Sequence, residues 1–269
     1  MIRAPFFFIE NLFTKPSDRD IIIKIETYGG GGALRLDKFL SERGVATRRE
    51  TAKAVRAGQV LVNGTPAGTA DQKIDETRDA VSFCGRMVAG QKFVYLLLNK
   101  PAGYLSATED GRGATVLDLL PEEYRRMGVF PCGRLDKNVT GLLLLTNDGD
   151  LCHRLLSPKY HVEKTYLVKA KFPISNDDIT ALEGGLDLGD FQTKPCRAER
   201  VDEKIILLTL TEGKFHQVKR MLEAIHNQVV ALTRVSFGGL TLPDNLEEGA
   251  FRPLTEQEQN TLFAKGNRT

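Results

Sequence analysis

Residues 142–145 are four consecutive leucines. They follow directly on a nine-residue stretch, 133–141, that opens and closes with glycine and holds an arginine, an aspartate, a lysine and an asparagine between. An unbroken apolar run this short, followed at once by the turn signal Asn147-Asp148-Gly149, reads as a buried strand. The fold must therefore bury this strand and leave a charged, glycine-bounded loop at its entrance. The chain can supply the core: it has 269 residues, 41% hydrophobic and 27% charged, inside the ordinary globular range. No apolar run approaches the roughly 18 residues of a membrane span.

The segments around the run predict a strand-rich domain with helices interspersed. FVYLLLNKPAG reads as a buried strand ending in a Lys-Pro-x-Gly turn, and residues 116–120 as a short helical pattern. DLCHRLLS reads as a short helix stopped at Pro158. KTYLVKAKF, PCRAERV, KIILLTLTEG and VVALTRVSFGG read as strands. Ser175 and Asp178 form a capping box for a helix, and FHQVKRMLEAIHN reads as an amphipathic helix with Phe215, Val218, Met221, Leu222 and Ile225 inward. The order predicts an α+β domain over 93–254 with an antiparallel or mixed sheet. No internal repeat is visible.

A second, smaller unit precedes it. Leu36, Phe39 and Leu40 recur at helical spacing up to Gly44. Thr47 and Glu50 make a capping box for a second helix that Gly58 closes, and GQVLVNG alternates as a strand into an Asn-Gly turn. Over 34–58 seven basic residues face three acidic ones, although the whole chain is nearly balanced at 37 basic against 35 acidic. Arg48, Arg49, Lys53 and Arg56 fall largely on one side of the second helix. Such a face suits a phosphate backbone, and it also suits a plain solvated surface. The residues carry a resemblance that separates the two: RLDKFLSERGVATRRETAKAVRAGQVLVNG resembles the S4-type RNA-binding domain. The resemblance implies an αα-β module over 34–80 in which Arg35, Lys38, Arg48, Arg49 and Lys53 face RNA. Residues 81–92 read as a linker whose first part finishes the module as a strand, and 255–269 as a carboxy-terminal tail.

Residues 1–33 do not fit either unit. The run Phe6-Phe7-Phe8-Ile9 is too short for a signal-peptide core, and no small-residue cleavage pattern follows. A purine-rich ribosome-binding sequence read as codons yields glycine runs such as 29–32, and Leu34 then corresponds to a UUG start. The segment is expected to be a mis-assigned start or a disordered extension. Cys84, Cys132, Cys152 and Cys196 are dispersed, without zinc-ribbon spacing, and read as reduced, small buried residues of a cytoplasmic protein. No metal spacing, phosphate-binding loop or dinucleotide fingerprint appears, so no cofactor is expected.

Within the loop, Asp136 lies between Leu135 and Lys137. An ionised carboxylate in a pocket can be a nucleophile, and an aspartate between basic residues can equally be a surface charge. Spacing does not decide between them. The motifs do: GRLDKNVTGLLLLTNDGDL, with NKPAGYLSATED, EKTYLV, EGKFHQVKRM and GAFRPLT in order, resembles the RNA pseudouridine synthases, in the branch often called RsuA-like. The resemblance implies an isomerase in which Asp136 attacks the target uridine, at C6 of the base or C1′ of the sugar. It implies that Tyr166 stacks on the extruded uracil and that Lys219 pairs with Asp136, with Arg220 the second choice. Adjacent helix positions point about 100° apart, so only one of those two faces the pocket squarely. Arg134 would hold the extruded nucleotide, with Lys137, Arg220, Lys100 and His216 also on RNA. Base extrusion is required because the reacting atoms are shielded in a stack.

Phe215-His216-Gln217 and LSPKYHVEKTYLV look like the members acting on the small ribosomal subunit rather than those with Asn-Arg-Gln-Ile-Arg-Arg-Met. The expected substrate is therefore one uridine of 16S rRNA, within a small-subunit assembly intermediate, acted on by a monomer. The same chemistry on 23S rRNA and a noncatalytic RNA-binding assembly factor are the alternatives.

Overall fold

The computed structural model describes residues 33–266 except 77, 89–91 and 112. The expectation for residues 1–33 thus lies outside the described residues, apart from Ala33.

The small module opens with β1 (Ala33–Arg35), α1 (Leu36–Glu42) and α2 (Arg48–Arg56), followed by β2 (Val60–Val62), β3 (Thr65–Pro66) and β4 (Lys73–Asp75). The Thr47–Glu50 capping box forms as its spacing requires: Glu50 N–H donates to Thr47 Oγ1 at 3.2 Å and Thr47 N–H to Glu50 Oε2 at 2.7 Å. Leu36, Phe39 and Leu40 pack inward against Val55, Val60 and Ile74. Two further strands, β5 (Val81–Phe83) and β6 (Arg86–Met87), form a hairpin that joins β2 and β3 in one sheet. The first part of 81–92 finishes the module as a strand, as expected, with Val81 1% exposed, and the stretch read as linker from 85 still belongs to the module through Met87, because β6 pairs with β5. Cys84 sits exposed in that hairpin's turn, not buried.

The larger unit runs β7 (Tyr95–Lys100), α3 (Glu122–Arg126), β8 (Phe130–Pro131), β9 (Thr140–Thr146), α4 (Gly149–Leu156) and β10 (Lys164–Ala170). It continues with α5 (Asn176–Gly184), β11 (Arg197–Asp202), β12 (Ile205–Leu210), α6 (Gln217–Ala224), β13 (Val229–Phe237), β14 (Leu240–Thr241), β15 (Phe251–Pro253) and α7 (Glu256–Gly266). Among the described residues, nine of its strands make one mixed sheet ordered β11-β12-β10-β13-β9-β7-β15, with β14 on β13 and β8 on β9. The β9–β13 pair is parallel and the others are antiparallel.

The leucine run is the middle of β9, and its lack of alternation has a direct cause: both faces of the sheet are covered. Leu143 and Leu145 enter one core with Leu96, Leu98, Val168 and Ile206. Leu142 and Leu144 enter a second with Leu97, Leu151, Leu155 and Phe237. All four are 0% exposed, and each contributes roughly 1.5–3 kcal/mol of burial. The second core is closed by α7: Leu262 is fully buried and Phe263 packs edge-on to Tyr95, ring centroids 5.3 Å apart. The segment expected as a tail is therefore a packed helix, disguised by its polar stretch 256–260.

Gly141 begins the buried part of β9 with φ +100°, and a Cβ there would stand 2.3 Å from the Arg234 carbonyl oxygen of β13. Only glycine permits the two backbones to approach this closely where the charged loop turns into the sheet. The two units also touch: a Cβ on Gly44, between α1 and α2, would stand 2.7 Å from Met127 Cγ and 2.8 Å from the Glu123 carbonyl of α3.

Candidate active site

The loop between β8 and β9 carries Asp136, and its shape is fixed from both sides. Leu135 and Val139, 6% and 3% exposed, plug into the first core and leave Asp136 between them facing outward. Ser106 braces one flank: its Oγ donates to the Leu135 carbonyl at 3.0 Å and accepts from Leu135 N–H at 3.1 Å. Lys100 braces the other. It ends β7, is fully buried, and donates from Nζ to the carbonyls of Pro101 (2.9 Å), Lys137 (3.1 Å) and Val139 (2.9 Å). Three donors meet three acceptors, so the ammonium is fully used inside the protein. Burial pulls its pKa down to about 8, partly offset by the Asp136 charge. The expectation that Lys100 contacts RNA is thereby overturned: it supports the loop from beneath. Sequence offered no signal for this, because a lysine after an apolar strand usually leaves the core at that point.

The carboxylate of Asp136 receives Lys219 Nζ at 2.6 Å, from the first turn of α6. His216 Nε2 stands 3.5 Å from the same oxygen. Of the two adjacent cations, then, Lys219 is the one beside Asp136. Arg220 points elsewhere, pairing with Asp190 and donating to the Leu188 carbonyl at 2.8 Å. It is placed neither in the pocket nor as an open RNA contact, since its guanidinium is occupied within the protein. Tyr166, on β10, lines a recess of about 90 Å³ together with Asp136, Arg134, His216 and Lys219. The recess adjoins an open cleft of about 980 Å³ bordered by Arg134, Lys137, Lys194 and Lys214. Arg134 and Lys137 are both exposed there.

Two features of the site differ from the sequence reading or were missed by it. Phe215 does not pack inward: it precedes α6 and is 74% exposed on the cleft, while buried Gln217 takes the inner position. Lys164, at the start of β10, is buried along the cleft wall, donates to the Val162 carbonyl at 2.7 Å, and has its pKa pulled down to about 8 by burial and by Arg234. The sequence signal for both was ambiguous, since apolar periodicity runs through 215 and lysine at a strand start usually faces water.

In the small module Arg48, Arg49 and Lys53 are exposed on α2. Arg35 is engaged with buried Asp37, whose carboxyl it holds below the usual range by hydrogen bonding, and Lys38 lies 3.6 Å from Glu42. Their charge toward any outside anion is reduced accordingly, so α2 presents the stronger basic face. Among the described residues, no group of three or more His, Cys, Asp or Glu side chains could hold a metal ion, and no helix is long and apolar enough to cross a membrane.

The carboxylate and its paired lysine thus sit in a recess with an aromatic wall that adjoins a cation-bordered cleft, and a separate module carries a basic helix face. A family model for RNA pseudouridylate synthase matches residues 94–224, and one for the S4 domain matches residues 34–78. The chain is 48% identical to the uncharacterized RNA pseudouridine synthase YtzG of Bacillus subtilis (strain 168), over 85% of this chain and 98% of that one. It is 39% identical to ribosomal small subunit pseudouridine synthase A of Escherichia coli (strain K12), over 84% and 98%. A crystal structure of a pseudouridylate synthase, 38% identical, aligns with a TM-score of 0.60 over 86% of this chain and 100% of its own. The chain belongs to the RNA pseudouridylate synthase family and is an isomerase acting on RNA, with an S4 domain at its amino-terminal side.

Proposed function

We propose that the enzyme converts one uridine of 16S rRNA to pseudouridine, with Asp136 as nucleophile and the target base extruded into the Tyr166 recess. The observation that carries the reading is the Lys219–Asp136 contact at 2.6 Å, at the junction of the recess and the cationic cleft. A carboxylate held there by the Lys219 ammonium is positioned and reachable from the cleft. Attack at C1′ of the sugar or C6 of the base lets the C1′–N1 bond break. The base turns within the recess, C1′ bonds to C5, C5 loses its hydrogen, N1 gains one, and the carboxylate is released. Nothing is oxidised or reduced, and substrate and product have the same atoms. Tyr166 stacks on the uracil while it turns, and Arg134 holds the displaced nucleotide.

The small-subunit assignment is supported by the relatives named for that substrate and by Phe215-His216-Gln217 in the third motif. The substrate is proposed to be an assembly intermediate, in which the target nucleotide is still accessible, and the α2 face is proposed to dock its backbone. Incubating wild-type protein with 5-tritiated 16S rRNA carrying bound ribosomal proteins, and separately with 23S rRNA, tests this. Near-stoichiometric tritium release from 16S alone is expected. Release from 23S rRNA alone would reassign the substrate.

A further inference from the structure

Phe215 is a large apolar side chain left 74% exposed on the wall of the cleft that holds Asp136. Its placement is built. Buried Gln217 accepts from Lys214 N–H at 2.9 Å and donates to Glu212 at 2.7 Å, while Glu212 accepts from Lys194 N–H at 2.9 Å. The turn 212–217 is thus tied on both sides and pushes residue 215 outward. His216 then takes a left-handed backbone conformation, φ +51°, uncommon for a residue other than glycine. That conformation lays the His216 ring against the Phe215 ring, centroids 3.8 Å apart and planes within 18°, with His216 Nε2 3.5 Å from Asp136 Oδ2. The phenyl and imidazole are thus stacked, the imidazole nitrogen reaches the Asp136 carboxylate, and the phenyl is left largely exposed on the cleft.

We propose that Phe215, backed by His216, is the stacking platform for the base next to the extruded uridine, and so a specificity-determining residue. The inference rests on the reading that the uridine enters beside Asp136. Unpaired bases stack on exposed aromatic faces, and the cations bordering this cleft suit the backbone that joins them. A neighbouring base stacked on the exposed phenyl would hold the strand while the target leaves it.

The test uses full-length protein and 16S rRNA fragments with 2-aminopurine beside each candidate uridine. Asp136→Asn is the background for fluorescence, and Asp136-intact protein is used for tritium release. One neighbouring 2-aminopurine should be quenched on binding, and Phe215→Ala should abolish that quenching. In the active protein, Phe215→Ala and Phe215→Leu should lower kcat/KM about 10- to 100-fold, chiefly through KM, with Phe215→Trp recovering most of the loss. Thermal melting should not move, since the side chain is exposed. Quenching retained in Phe215→Ala, or kcat/KM at the wild-type level, would overturn the proposal. Quenching that depends on Phe215 without tritium release from wild type would instead fail the 16S substrate reading and leave the platform standing.

Discussion

At the scale of single residues, two lysines shape the site, one that touches the Asp136 carboxylate and one that does not. Lys219 meets Asp136 directly, whereas Lys100 holds the carbonyls of the loop that presents it. Replacing Lys100 by methionine takes the ammonium donor from the Pro101 and Val139 carbonyls, at about 1–3 kcal/mol for each one left unsatisfied, while the Lys137 carbonyl keeps the Gly103 N–H. Displacement of Asp136 should then lower kcat about 100-fold with RNA affinity nearly unchanged, a split that single-turnover kinetics and filter binding will read. The residue also has a pH signature. In the folded chain Lys100 loses its proton at about pH 8, against an ordinary value of 10.5. Between those values the unfolded chain binds more protons, so this residue's contribution to stability rises with pH across the window. Lys164, lowered to about 8 as well, acts in the same direction. Urea melts at pH 7.5 and 9.5 should therefore show a smaller gain for Lys100→Met than for wild type. The Asp136–Lys219 contact was implied by the resemblance of their motifs to the pseudouridine synthases and not by spacing. Lys100 was not legible, since nothing in NKPAG distinguishes a lysine that leaves the core from one that turns back beneath a loop.

At the scale of elements, the join of the charged loop to β9 is the critical point. Gly141→Ala places a methyl 2.3 Å from the Arg234 carbonyl at φ +100°. The β9–β13 register must open to admit it, and a loss of several kcal/mol is expected in chemical denaturation, above the usual range for a surface substitution. The strands themselves were readable, β9 and β7 as apolar runs and β10 by its alternation. Two elements were misread for opposite reasons. In α7 a core contact made chiefly by Leu262 and Phe263 is hidden in a polar segment, so composition argues for a tail. At the start of α6, Phe215 fits the apolar period but lies in a turn that Gln217 forces outward, so tertiary hydrogen bonding overrides the pattern.

At the scale of the whole molecule, the two units present different surfaces. The larger one carries Asp136 in a loop braced by Ser106 and Lys100 over a sheet covered on both faces. The smaller presents the exposed cations of α2 and touches the larger where Gly44 meets α3. If α2 docks the RNA backbone, replacing Arg48, Arg49 and Lys53 by glutamine removes up to three phosphate contacts. The slope of log affinity against log salt should shrink by about 2–3, with kcat at saturating RNA preserved. A fall in kcat instead would mean that the module positions the target.

The nucleophilic role of Asp136 is the claim on which the rest depends. Wild type and Asp136→Asn should be compared under single-turnover conditions on the same 5-tritiated RNA, since pseudouridine formation must expel the hydrogen at C5. Tritium release by wild type and none above background by Asp136→Asn is expected, with RNA affinity retained. Release by Asp136→Asn at a rate near wild type would exclude Asp136 as the nucleophile.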